Sequence, residues 1–247
     1  MSAWFQDETF WETFEPILFN EERVALARIE AEKVAGLLGL TPGAKLLDLC
    51  CGVGRHSVEF ARQGFSVTGV DLNQAYLDRA RSRAEAENLA IEFVQSDMRD
   101  FIRARAFDGA VNLFTSLGYF DDPADNLRVL TNVHTSLKAG ARFVIDVLGK
   151  EILARIFQER VWRNAPDGSL ILEEHHLRSG WDRIENRWIL IKGDRREEFS
   201  FSHWLYSGAE LAAMLRQAGF REVQLYGSLS RTPYDHRAER LVAVSVK

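Results

Sequence analysis

The chain has 247 residues, enough for one large domain or for one domain carrying an insertion. Apolar residues make up 46% and charged residues 27%, which predicts a full hydrophobic core and argues against a disordered chain. The formal net charge of −5 and the lack of any Lys/Arg-rich block argue against a nucleic-acid partner. No uncharged apolar run approaches the roughly 18 residues of a membrane helix, so no membrane partner is expected. Asp7 and Glu8 fall within the first ten residues with no basic start, so no signal peptide is expected. Cys50 and Cys51 are adjacent and have no third cysteine to pair with, which suits a reducing, cytoplasmic setting. No Cys/His spacing points to a metal.

Residues 4–19 carry Trp4, Phe5, Phe10, Trp11, Phe14 and Phe19 without a clean period. They read either as a short helix packed on the main domain or as a lid over a ligand. In residues 21–40, Ala27, Val34, Leu37 and Leu38 recur at helical spacing, and Thr41-Pro42-Gly43 is the expected stop. Strands are then predicted at 45–49, 66–70, 91–94, 107–113 and 141–148. The helices between them are predicted at 55–63, 73–88 and 123–137, the last capped by Asp121 or Asp122 and broken by Lys138-Ala139-Gly140. Strands alternating with helices predict a mostly parallel sheet covered on both faces. After Gly149 a short helix is expected at 151–158, then three antiparallel strands at 169–176, 183–192 and 197–206, the last showing a period of two. Ser207 and Glu210 form a capping box for a helix to about residue 218, and two strands at 222–226 and 241–246 finish the chain.

The chemistry-bearing segment is Leu46-Leu47-Asp48-Leu49-Cys50-Cys51-Gly52-Val53-Gly54-Arg55-His56. A buried strand enters a two-glycine turn and then a helix. Its backbone can approach a ligand closely, and its free N–H groups favour a polar or anionic one. The second strand ends at Asp71, placed either to accept two ribose hydroxyls or to cap the next helix. Asp97 and Met98 follow the third strand. They can meet an exocyclic amine and a flat ring, or serve a turn.

These pieces, with Asp108 to Leu113, occur in the order and spacing that resemble class I S-adenosylmethionine-dependent methyltransferases, over residues 46–147. Cys50 stands where that family usually has its first loop glycine. The resemblance implies an α/β fold, Rossmann-like, with a seven-stranded sheet in the order 3-2-1-4-5-7-6, helices on both faces and a small antiparallel β insertion. It implies S-adenosylmethionine as cofactor, leaving S-adenosylhomocysteine. Asp48 would order the loop and reach the methionine amino group. Cys50, Gly52 and Gly54 would pack on the methionine, and Asp71 and Leu72 would hold ribose and adenine. Asp97 and Met98 would meet the adenine edge, and Leu113 and Phe114 would lie beneath the sulfonium. Residues 1–40 are expected to form a helical lid, 41–149 the cofactor core, 150–206 an insertion over the acceptor, and 207–247 the end of the core.

A nicotinamide dehydrogenase competes, but Ser57 occupies the third glycine position of that fingerprint. A non-catalytic adenosylmethionine-binding protein is the other alternative. The loop after the fourth strand lacks the Asn/Asp-Pro-Pro-Tyr signature of nucleobase or glutamine methylation. The insertion resembles the branch acting on small-molecule amines, so a small-molecule acceptor is expected, with N-methylation favoured over O-methylation. A hydroxyl acceptor would need a base. His203, Tyr119 and Asp146 are the candidates, with a structural role open for each. Trp11, Arg23, Tyr119, His175 and Trp204 are the candidate acceptor-pocket residues. The protein is expected to be a monomer or homodimer.

Overall fold

The computed structural model describes residues 3–165 and 167–247. A 3₁₀ turn (Trp4–Gln6) leads into α1 (Glu8–Leu18) and α2 (Glu21–Leu38). Asp7 and Asn20 cap the two helices by accepting backbone N–H bonds. Helix α2 stops at Gly39, in the left-handed conformation at φ 68°. The expected stop at Thr41-Pro42-Gly43 comes too late, because the glycine already closes the last turn.

The core then alternates: β1 (Lys45–Leu49), α3 (Arg55–Arg62), β2 (Ser66–Asp71), α4 (Gln74–Ala86), β3 (Glu92–Gln95), β4 (Phe107–Asn112), α5 (Pro123–Ser136) and β5 (Leu137–Val147). Asp122 caps α5. Strand β5 begins at Leu137, so Lys138-Ala139-Gly140 belongs to the strand rather than to a break. Leu137 pairs with Phe107 there. After α6 (Lys150–Ile156) come β6 (Arg160–Asn164), β7 (Leu170–Leu177), β8 (Arg183–Lys192) and β9 (Arg195–Trp204). Helix α7 (Gly208–Gln217), with the expected Ser207–Glu210 capping box, and strands β10 (Arg221–Tyr226) and β11 (Leu241–Val246) complete the chain.

The large sheet runs β10-β11-β5-β4-β1-β2-β3, which is the expected order. Strands β1 to β5 are parallel, and β11 runs antiparallel between β5 and β10. The order reverses between β1 and β4, so a crevice opens at their carboxyl ends. Alternation along β1 divides the core. Leu47 and Leu49 join Phe143, Ile145, Leu130 and Leu215 on one face. Leu46 joins Val34, Leu37, Phe60 and Val144 on the other.

The inserted sheet has four strands, β6-β7-β8-β9, rather than three. Strand β6 was missed because it is an edge strand exposed on both sides, so no apolar alternation marks it. Helix α1 lies on this sheet. Phe10, Phe14 and Ile17 pack with Ile171 and Leu190 and touch Trp188, Phe199 and Phe201. Truncating the fully buried Phe14 to alanine should destabilise the fold by about 3–5 kcal/mol, measured by urea unfolding. A loss under about 1 kcal/mol would mean that α1 is not part of this core.

Candidate active site at the carboxyl ends of the sheet

Strand β1 passes into a turn whose backbone is held by Cys51 N–H to the Val70 carbonyl at 3.0 Å and Gly54 N–H to the Cys51 carbonyl at 3.0 Å. Gly54 sits at φ 72°, and a Cβ there would fall 2.7 Å from the Ala80 Cβ, so glycine is required. Cys50 has φ 61° without being glycine, which costs on the order of 1–2 kcal/mol. Across the crevice, Phe114 and Thr115 after β4 also have positive φ, 67° and 58°. Backbone strain of this kind persists where the surroundings over-determine the conformation. Here the Thr115 N–H donates to the Asp146 carbonyl at 3.0 Å, and its hydroxyl accepts from Leu148 N–H at 3.1 Å.

Three acidic residues line the cavity between these loops. Asp71 Oδ2 accepts from Gly52 N–H at 2.8 Å, and Oδ1 accepts from Asn73 N–H at 2.9 Å. Burial raises its pKa against those bonds. Asp48 accepts from Ser57 Oγ at 2.5 Å, and burial pushes its pKa up to about 6. Burial also acts upward on Asp97, but the bonds and charge of Arg99, 2.7 Å away, outweigh it and leave the pKa lowered.

A buried ionic cluster borders the cavity, which Arg55 and His56 help to line. Glu30 of α2 accepts from Arg55 Nη1 at 2.6 Å, His56 Nε2 at 2.8 Å and Arg240 Nη2 at 2.5 Å. Arg240 also donates to Asp146 at 2.7 Å. Burial opposes ionisation of Glu30, but the His56 hydrogen bond and the Arg55 charge hold its carboxyl well below the usual carboxylate range. Burial pushes His56 down to about 4, so at neutral pH it donates as an uncharged ring. Arg55 and Arg23 lie over the Phe114 ring at 5.1 and 4.7 Å.

The cavity, about 270 Å³, brings together Asp48, Cys50, Gly52, Asp71, Leu72, Asp97, Met98, Leu113 and Phe114. Tyr119, Trp11 and His203 also line it. Burial raises the Tyr119 pKa and lowers that of His203 to about 4. Other candidates stand elsewhere. Gly54 lies outside the lining, packed on Ala80. Asp146 is bound by Arg240, and Arg23 lies over the Phe114 ring with its Nη1 on the Leu18 carbonyl. Trp204 donates to the Phe120 carbonyl, and His175 faces a neighbouring groove. Sequence reasoning missed Glu30 and gave Arg55 and His56, which end the glycine-turn segment, no role of their own. Glu30 was legible as an acid on the apolar stripe of Ala27, Ala31 and Val34.

The lining suits an adenosyl sulfonium compound. Asp71 keeps a lone pair on each oxygen, Leu72 and Met98 supply apolar surface for a flat base, and a Cβ on Gly52 would fall 3.1 Å from the Phe19 ring. A family model described as Methyltransferase domain matches residues 46–140. The ubiquinone biosynthesis O-methyltransferase of Actinobacillus pleuropneumoniae serotype 5b is 30% identical over 170 residues, covering 58% of this chain and 69% of that protein. The chain belongs to the class I S-adenosylmethionine-dependent methyltransferases. It is an enzyme, and its cofactor is S-adenosylmethionine.

A dTDP-3-amino-3,4,6-trideoxy-alpha-D-glucopyranose N,N-dimethyltransferase from Streptomyces venezuelae is 32% identical over 119 residues, covering 47% of this chain and 48% of that one. A solved S-adenosylmethionine-dependent methyltransferase from Clostridium acetobutylicum shares the fold with a TM-score of 0.80, at 17% identity over 96% of this chain and 97% of that one. The nicotinamide and non-catalytic alternatives are set aside. In this methyltransferase Ser57, at the third glycine position, is tied to Asp48.

Two outcomes are expected. Asp71→Ala should weaken S-adenosylhomocysteine binding at least about ten-fold by calorimetry if the free lone pairs of its carboxylate accept the two ribose hydroxyls; unchanged affinity would exclude Asp71 from that role. Between pH 6.5 and about 4 the unfolded chain binds a proton that folded His56 refuses. Its contribution is therefore full above pH 6.5 and is lost as pH falls toward about 4. The stability of wild type relative to His56→Gln should fall over that window in urea titrations, and a difference independent of pH would refute the assignment.

Proposed function

We propose that this methyltransferase acts on a small-molecule acceptor, with an amine favoured over a hydroxyl. The observation that carries the reading is the lining of the cavity. The carboxyl ends of the sheet form its base, and Trp4, Phe10 and Trp11 of the N-terminal segment line it together with Trp188, Phe201 and His203 of the inserted sheet. Such a mostly apolar space, rich in aromatic side chains, suits a small molecule better than a polymer. The Trp4–Gln6 turn, α1 and the inserted strands β6 to β9 serve as its cover, whereas α2, expected to belong to the lid, packs on the large sheet and joins the cofactor core. The relative from Streptomyces venezuelae, named for methylation of an amino sugar nitrogen, supports the amine preference.

The cofactor supplies a methyl group on a positively charged sulfur, already activated for in-line displacement. The chain therefore has to align the acceptor and exclude water. Asp48, Cys50 and Gly52 hold the methionine end, with Gly54 shaping the turn. Asp71 and Leu72 hold ribose and base, Asp97 and Met98 the adenine edge, and the Leu113–Phe114 backbone the region of the sulfur. His203 is uncharged above about pH 4 and accepts a hydrogen bond from the acceptor nitrogen, turning its lone pair toward the methyl. Tyr119 stays a phenol because burial raises its pKa. The nitrogen–carbon bond forms as the carbon–sulfur bond breaks, and the nitrogen then releases its proton to solvent.

Mass spectrometry of the enzyme with S-adenosylmethionine and panels of amines, carboxylates and alcohols should show transfer to amines first; transfer confined to alcohols or to a polymer would reject the reading. His203→Phe should lower acceptor kcat/KM about ten-fold while leaving S-adenosylhomocysteine affinity unchanged.

A further inference from the structure

Two spaces meet at one wall. The cofactor cavity of about 270 Å³ and a polar groove of about 1030 Å³ share Trp4, Phe5, Tyr119, Phe120 and Phe201 as lining. Small-molecule sites generally measure about 300–1,000 Å³, so the cavity alone is too small for cofactor and acceptor together. The groove is the adjoining space.

One face of the inserted sheet reaches both. Registration across β7, β8 and β9 sets His175, Asn186 and Phe201 in one row. Alternation puts Trp188 on one side of that row and His203 on the other, on the same face. His175 and Asn186 line the groove, and Trp188 and His203 line the cavity. Along β8 this face reads Ile184, Asn186, Trp188, Leu190, so Asn186 interrupts an apolar row.

Asn186 is only 6% exposed, and buried amides are normally hydrogen-bonded. Its Oδ1 lies 2.8 Å from His175 Nδ1, whereas its Nδ2 has no partner among the described residues. Turning the amide over exchanges the two atoms and still leaves one unpaired. The neighbouring Trp188 Nε1 is likewise unpaired among the described residues. Both atoms are closed to solvent in this structure and lie on residues between a cavity and a groove, so a polar ligand atom reaches them only when the adjoining wall opens.

We propose that Asn186 is the point at which the enzyme recognises a hydroxyl group of its acceptor, an inference that rests on the small-molecule amine reading. A hydroxyl both donates and accepts, so it satisfies the vacant amide atom in either orientation. His175 fixes the amide from behind. The acceptor nitrogen extends into the cavity toward His203. The Trp4–Gln6 turn stands in the shared wall, held by Trp4 Nε1–H to the Ser202 carbonyl at 3.0 Å, and it moves aside to admit the acceptor. Six carboxylates against three arginines line the groove, which favours a neutral or cationic hydroxylated amine over an anionic one.

The test uses the full chain saturated with S-adenosylhomocysteine and two probes that differ by one hydroxyl, trans-2-aminocyclohexanol and cyclohexylamine. Their affinities are measured by ligand-observed NMR for wild type and Asn186→Leu, with Asn186→Ala as a second variant in case leucine does not fold. The hydroxylated probe should bind wild type about five-fold more tightly, as one neutral hydrogen bond allows. The variants should reduce the preference to less than about two-fold, with S-adenosylhomocysteine affinity and melting temperature at wild-type values or above. Absence of the preference in wild type, its survival in the variants, or failure of both probes to bind would overturn the proposal. Survival would identify a fixed water as the amide's partner. Methyl transfer to both probes without hydroxyl preference removes the role of Asn186 alone. Failure to methylate any amine while the cofactor is bound rejects the amine reading itself.

Discussion

The Glu30 carboxylate joins three distant parts of the chain. Arg55 and His56 come from the start of α3, and Arg240 comes from the segment before β11 and continues to Asp146 at the end of β5. All of these groups are buried or half-buried, so each charge depends on its partners for the solvation it has lost. Removing one partner from such a cluster strands the others, at a cost of about 3–5 kcal/mol. Through Arg55 and His56 the cluster forms part of the wall of the cavity at the crevice where the strand order reverses. It fixes the first turn of α3 relative to β5 and so sets the spacing of the two loops that form the site.

Those two loops are strained on their own. Cys50, Phe114 and Thr115 all adopt positive φ without being glycine. Their conformations persist because backbone groups of β2 and β5 receive their hydrogen bonds, and because Arg23 and Arg55 cover the Phe114 ring. The resulting rigidity suits a reaction governed by alignment. A loop free to relax would lose the donor and acceptor directions that it presents to the cavity.

The inserted sheet and the N-terminal segment depend on each other. Helix α1 buries Phe10, Phe14 and Ile17 against Ile171 and Leu190 of the inserted sheet, and the same face of that sheet is covered at its other end, at Ile184, by Leu153 of α6. Trp4 and Trp11 therefore serve both earlier readings at once: they belong to a packed helical segment, and they line the cavity. The aromatic residues lack a clean helical period because they face two surfaces rather than one.

Much of the core was legible from local pattern. Apolar runs marked the buried strands, the Asp122 and Ser207 caps marked helix starts, and the glycine turn between Asp48 and Arg55 announced the loop at the head of the sheet. Edge strand β6 was not legible, because a strand exposed on both faces carries no alternation. Glu30 and Asn186 could be flagged only as polar residues on apolar faces. Asp146 and Arg23 looked available to an acceptor, yet Arg240 occupies the first, and the second lies over the Phe114 ring with its Nη1 on the Leu18 carbonyl. The sequence by itself determined the alternation of strands and helices and the residues at the strand ends, because hydrophobic period and turn chemistry act locally. Only the tertiary structure decided which charges are already paired, which donors are left open and which aromatics close the cavity. Those properties depend on contacts between segments as much as 210 positions apart, which local pattern does not encode.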